Sequence, residues 1–327
     1  MDTHVTPPNH AELSAVSGRV TRIDRGWSTV LLADESVVRV RNLGIEVAVG
    51  DFVDVSPDFE KIDCVHERRS ALMRRHSFEG ARGVRQIVAS NIDTVFVVHA
   101  VNAAVNQRRL ERELVLAFDS GATPVVLLSK IDTVSDEQCA TVRDQLAEVA
   151  LDVEIVPISS LTGVGIDRIR EIAVANTTVA FIGASGVGKS TLVNTLVGDE
   201  VQRTAEVRSD DQRGRHTTVA AELIPLPGGA WLLDTPGLRA VTLWTSGVGI
   251  ERAFHDVFSL AEQCRFRDCK HVEEPDCAVQ KAIAEGRLPA VRLESMRRLV
   301  AEELLVEEEQ VEKERQLDKR GVRKKRP

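Results

Sequence analysis

No apolar run in this chain approaches the ~20 residues of a membrane span, so a membrane protein is not expected. The first residues, MDTHVTPPNHAELS, lack the apolar stretch of a secretory signal, and the expected location is the cytoplasm. Cysteine is scarce and odd in number, five in 327 residues, which argues against a disulfide framework. Excess positive charge is also missing. With a net charge of −8, any grip on nucleic acid must come from local basic patches. What remains is a chain with 43% hydrophobic residues, long enough for two or three domains with real cores.

The stretch that organises the rest is TVAFIGASGVGKSTLVNTLVG, residues 178–198. Thr178 to Ile182 is a β-branched and aromatic run that reads as a buried strand. Gly183, Ala184, Ser185, Gly186, Val187, Gly188, Lys189 and Ser190 match G-x-x-x-x-G-K-[ST], with Thr191 beginning a helical pattern. Glycines let the backbone curl until its N–H groups converge on an anion, and the helix N-terminus adds a favourable field there. Lys189 can reach the outer phosphates and the Ser190 hydroxyl can bind Mg²⁺. A nucleoside triphosphate is therefore expected, and neighbouring motifs must say which.

The chain divides as follows. Residues 1–12 read as a flexible tail. Residues 13–66 carry short strands, Trp27 to Leu32 and Val37 to Arg41 among them, and a small β-barrel of OB-fold type is expected. Arg19, Arg22, Arg25 and Trp27 could present a basic, partly aromatic face to RNA, or simply a solvated surface. Residues 67–86 read as a basic connector. Over 87–245 strands and helices alternate as in an α/β P-loop domain, and Ser135 with Gln138 forms a candidate capping box. Residues 246–327 read as a mostly helical, zinc-binding domain with an acidic stretch and then a basic tail, which either contacts RNA or is disordered.

Polar motifs follow the α/β strands, where open parallel sheets bind their ligands. Ser129-Lys130-Ile131-Asp132 resembles the N-K-x-D box. A carboxylate at Asp132 can accept from guanine N1–H and its exocyclic amine, a donor pair that adenine lacks. Ser129 replaces the usual Asn, which could weaken the tie to the phosphate loop. Ser159 and Ser160 suit a loop whose backbone N–H meets guanine O6. Asp234-Thr235-Pro236-Gly237 opens D-x-x-G: the carboxylate can hold Mg²⁺ through water and the Gly237 N–H can sense a γ-phosphate. Between them lies Gly214-Arg215-His216-Thr217-Thr218, placed as a switch loop. Spacing does not separate Thr217 from Thr218 as the Mg²⁺ ligand, and Thr218 is preferred. Leu238 stands where many GTPases carry a water-orienting Gln, so slow intrinsic hydrolysis is expected. Finally, Cys264, Cys269, His271 and Cys277 form CxxxxCxHxxxxxC. This donor set suits one structural, tetrahedral Zn²⁺ with no position open for catalysis.

In this chain the base box precedes the phosphate loop, which precedes D-x-x-G, a circular permutation of the usual order. With a leading barrel, GRHTT and the cysteine–histidine tail, the chain closely resembles the ribosome small subunit-dependent GTPase A family from about Ser14 to Arg298. The resemblance implies binding of GTP or GDP with Mg²⁺. It also implies docking on the small ribosomal subunit and its rRNA through the OB-fold and zinc domains, and subunit-stimulated hydrolysis late in maturation. A monomer is expected. The permutation also places D-x-x-G directly before the zinc domain, so an ordered γ-phosphate could swing that domain. Two competing readings are a zinc-containing RNA-binding protein merely regulated by nucleotide, and a P-loop ATPase or kinase.

Overall fold

The computed structural model describes residues 16–76, 84–198, 221–234 and 247–324. Five short strands open the chain: β1 (Val16–Asp24), β2 (Trp27–Leu32), β3 (Val37–Arg41), β4 (Phe52–Val55) and β5 (Ile62–Val65). β1 pairs with both β2 and β4, β4 pairs with β5, and an isolated bridge joins Arg41 to Lys61. The β1–β2 turn is Arg25-Gly26, both with positive φ, the backbone a two-residue hairpin needs. Alternation sends Val20, Val30, Val40, Val53, Val55 and Ile62 into one apolar core, while Arg39 and Arg41 stay outside over the Trp27 ring.

Two expectations fail in this region. Arg19 is no RNA-facing side chain. It is 7% exposed, lies over the rings of Phe52 and Trp231, and donates to the Gly50 carbonyl and the Thr178 hydroxyl. Burial lowers its pKa to about 10. An arginine in an alternating strand looks the same in sequence whether its face meets water or a second module. The stretch 67–86, expected as a connector, instead carries β6 (Ala71–His76) and the start of β7 (Val84–Ser90), paired antiparallel. A two-stranded ribbon is held by its backbone ladder, so only its base, at Leu72 and Ala89, needs apolar side chains.

The central sheet runs β10-β9-β8-β11-β13-β12 and continues into β1. Here β8 is Thr94–Ala100, β9 Thr123–Ser129, β10 Ile155–Pro157, β11 Thr178–Gly183, β12 Glu222–Pro225 and β13 Trp231–Asp234. The pairs from β10 to β13 are parallel. Antiparallel β12, which carries no readable alternation in four residues ending in proline, joins β13 to the barrel through Arg22 and Glu222. Helices cover both faces, which is why these strands are continuously apolar. On one side α1 (Gln107–Asp119) and α2 (Asp136–Val149) pack Leu110, Leu114 and Leu146. On the other, α3 (Ile166–Ile172) and α4 (residues 189–198) pack Ile169, Leu192 and Leu196. The Ser135 and Gln138 capping box is present at the start of α2.

Four helices follow: α5 (Gly247–Ala253), α6 (His255–Ala261), α7 (Ala278–Ala284) and α8 (Ala290–Lys324). Their core is Ile250, Phe254, Val257, Val279, Leu288 and Leu293, joined by Val115 of α1. α5 lies so close to α1 that a Cβ at Gly249 would come within 2.5 Å of the Val115 carbonyl; the Gly249 N–H donates to Asp119 at 2.6 Å. Arg292 is 2% exposed. Its guanidinium, over the Phe254 ring, bonds to Asp256 and to the Ala253 and Val149 carbonyls. Arg298 of α8 meets the buried Glu111 of α1 at 2.8 Å. A swing of these helices would have to part those bonds. No described helix is long and apolar enough to cross a membrane.

Candidate functional site

The phosphate loop forms at the C-terminal end of β11, as the strand–glycine–helix order requires. Gly183 has φ 143°, and a Cβ there would stand 2.4 Å from the Val98 carbonyl of β8, so only glycine fits between the strands. Gly186 and Gly188 also have positive φ, which turns successive amides toward one concavity ahead of α4. The Lys189 ammonium lies over the loop, 2.8 Å from the Gly183 carbonyl and 2.5 Å from that of Ala184. Ala184 is half-buried, and Ser185, Ser190 and Thr191 are exposed at the mouth.

The base box lies against this loop although Ser129 and Val187 are 58 positions apart in the chain. β9 ends at Ser129, whose hydroxyl donates to the Val187 carbonyl at 2.6 Å. The tie that a serine was expected to weaken is thus made. Lys130, with φ 61°, turns its stem along the loop. Its ammonium reaches the Gly186 carbonyl at 2.6 Å, and its Cε lies 3.8 Å from where a Gly188 Cβ would be. Asp132 is exposed and accepts a 2.5 Å bond from Ser159. Ser159 is fully buried, and its oxygen in turn accepts from the Leu161 and Thr162 amides. A carboxylate held this way keeps a second oxygen and can accept from two adjacent N–H donors. Ser160 is half-buried next to it.

Asp234 is exposed as the last residue of β13, two strands from β8 on the same sheet. Thr217, Thr218, Gly237 and Leu238 lie outside the described residues.

Two groups behind the loop escaped the sequence reading. Glu113 of α1 bonds Arg109 at 2.8 Å, and burial raises its pKa against the pull of Arg109 and Lys189. His99 of β8 has a buried Nε2 without a hydrogen-bond partner among the described residues, and burial lowers its pKa. Neither stands in a motif; their positions at i, i+4 and at a strand end were the only signals.

The ligand atoms of Cys264, Cys269, His271 and Cys277 all lie within 4.8 Å of one another. Sγ of Cys264 and Cys277 are 3.8 Å apart, and His271 Nδ1 is 3.5 and 3.4 Å from them. Bonds of about 2.3 Å to sulfur and about 2.0 Å to nitrogen place tetrahedral ligands about 3.5–3.8 Å apart, so this set could hold a metal ion. Burial lowers the His271 pKa, which favours the neutral, ligating imidazole. Arg297 and Gln280 hold the His271 carbonyl, and Glu274 accepts from the Lys270 and Val272 amides. Those amide bonds bring the Glu274 pKa down to about 2.

A family model described as RsgA GTPase matches residues 65–244. This chain belongs to the RsgA GTPase family. It is therefore a GTP hydrolase. The small ribosomal subunit biogenesis GTPase RsgA of Methanosarcina acetivorans is 41% identical over 267 residues, 80% of this chain and 71% of that one. The crystal structure of YjeQ from Thermotoga maritima aligns with a TM-score of 0.66 at 25% identity, covering 89% of this chain and 99% of the other. YloQ, described as a circularly permuted GTPase, aligns at 0.64 and 23% identity, with 91% and 98% covered. The permuted order read from the motifs is thus the order of a known fold.

Proposed function

We propose that this chain binds GTP and GDP in the cleft between Gly183–Ser190 and Ser129–Asp132. It docks on the small ribosomal subunit and hydrolyses GTP late in the maturation of that subunit, with the subunit accelerating the reaction. The observation that carries the reading is the pair of bonds from Ser129 to Val187 and from Lys130 to Gly186. They bring a base-reading carboxylate and a phosphate-binding loop, far apart in the chain, to one cleft. Asp132 accepts from the guanine donor edge and Ser160 offers a backbone N–H to O6. The loop amides and Lys189 hold the phosphates. Mg²⁺ is bound by Ser190, Asp234 and the switch threonine, for which Thr218 is preferred over Thr217, and Gly237 senses the γ-phosphate. With Leu238 in place of a water-orienting side chain, hydrolysis by the free protein is slow.

The bridge of Arg41 to Lys61 supports reading the five short strands as an OB-fold, and Trp27 between Arg39 and Arg41 suits an RNA strand. The cysteine–histidine set holds one structural Zn²⁺, since four protein ligands leave no vacancy for chemistry. The protein is a cytoplasmic monomer in this reading. The test is phosphate release from GTP with and without purified small subunits. Stimulation of at least tenfold, absent in Lys189→Ala, is expected. A rate that the subunits leave unchanged would reject subunit stimulation.

A further inference from the structure

Ser129 is 5% exposed, and its hydroxyl has one proton to give. Two carbonyl oxygens face it: Val187 at 2.6 Å and His99 at 3.2 Å. The Val187 bond has the usual length for O–H···O, and it uses the proton. The neighbouring Lys130 points its ammonium at Gly186. An asparagine in place of Ser129 would have two N–H donors on one amide, one for the loop carbonyl and one for a ligand; serine has no second. In the adjoining loop the Leu161 and Thr162 amides turn inward to the Ser159 hydroxyl, and the Gly163 amide to the Ser159 carbonyl. The Ser160 amide makes none of these bonds.

Guanine presents two different edges. N1–H and the 2-amino group are donors, suited to a carboxylate. O6 and N7 are acceptors, and only a donor can read them. Asp132 meets the first edge, and one loop amide can meet O6. Apart from the Lys130 ammonium, which is drawn to the Gly186 carbonyl of the phosphate loop, the box has no side-chain donor to spare for N7.

We propose that Ser129 is a positioning residue: it fastens the base box to the phosphate loop through Val187 and leaves guanine N7 unread. Guanine is then told from adenine by its donor edge and O6 alone, and a purine with carbon at position 7 binds as well as guanine does. This rests on the guanine-site reading above.

The experiment is displacement of a fluorescent GDP from the full chain by GDP, 7-deaza-GDP and IDP, which lacks the 2-amino donor. 7-Deaza-GDP is expected within about twofold of GDP, and IDP at least about tenfold weaker. Ser129→Ala weakens GDP and 7-deaza-GDP by one common factor. Ser129→Thr, which keeps the hydroxyl, restores GDP binding to within about twofold of the wild type. If 7-deaza-GDP binds the wild type more than about fivefold weaker than GDP, N7 is read and the proposal is wrong. IDP binding as tightly as GDP would instead overturn the guanine-site reading itself. Should Ser129→Ala not fold, the wild-type comparison still decides.

Discussion

The two flanks of the nucleotide-binding sheet are joined to it in different ways. The barrel joins edge-on, with backbone pairing along the edge and the buried Asp51 held from the other side by Arg68 and the Ser90 hydroxyl. β1 bridges to β12 at Arg22 and Glu222, Val49 bridges to Ala89, and the amide of Ser90 donates to the Val49 carbonyl. A single buried guanidinium, Arg19, is inserted beside that seam. The C-terminal helices join face-on, by side chains. Arg292 gathers Asp256 and two carbonyls, one of them Val149 of α2, and Arg298 meets buried Glu111 of α1. A backbone seam tolerates loss of one side chain because the ladder remains. A seam of buried charges does not, because removing one partner leaves the other desolvated and unpaired.

Substitutions rank this contrast. The largest effect is expected at Arg292→Ala, about 3–5 kcal/mol, because Asp256 and two carbonyls lose their donor at once. The measurement is the shift of the urea unfolding midpoint, with release of α8 followed by hydrogen exchange. Arg19→Met should cost less, about 1–2 kcal/mol: the shorter, flexible thioether chain still fills part of the space beside Phe52 and Trp231, and the Gly50 carbonyl keeps its bond from Asn91. Trp231, beside Arg19, makes fluorescence a suitable probe. A cost equal to that of Arg292→Ala would show that the barrel, too, is held by charge. The smallest effect is expected at Glu222→Gln, about 0–0.5 kcal/mol, since the pair with Arg22 is 4.0 Å long and half exposed while the backbone bridge persists. A loss above about 1 kcal/mol in thermal or urea unfolding would contradict the view that the seam is a ladder.

α1 occupies the centre of this arrangement. It begins after β8, beside the phosphate loop, carries Glu113 with Arg109 near Lys189, and ends against α5 at Asp119. The C-terminal helices therefore contact the nucleotide domain through an element that borders the cleft. The swing of the C-terminal helices expected from chain order would have to part these contacts. Among the described residues, α1 and the bonds of Arg292 and Arg298 are routes between the two regions.

Much of the centre of the molecule was readable from residue order. The boundaries expected for β2, β3 and β11 fall within one residue of those found, and the α2 capping box is formed by the two residues named for it. The Cys264, Cys269, His271 and Cys277 set gathers as its spacing implied. These features are local: a period, a cap or a short ligand spacing is written into neighbouring residues. Errors fell where the cause is remote. The β6–β7 ribbon is held by its backbone ladder, which leaves no side-chain signature in the sequence. Arg19 is buried because the edge of the central sheet, with Trp231 and Thr178, closes over it.

Residue order alone settled the chemistry on offer: a phosphate loop, a carboxylate for a base, a four-ligand set for a metal. Folding supplied the partners of those groups. Whether Ser129 held anything depended on where the Val187 carbonyl came to rest, and whether an arginine faced water or protein depended on what packed over it. Hydrogen bonds act over about 3 Å of space and take no account of distance along the chain.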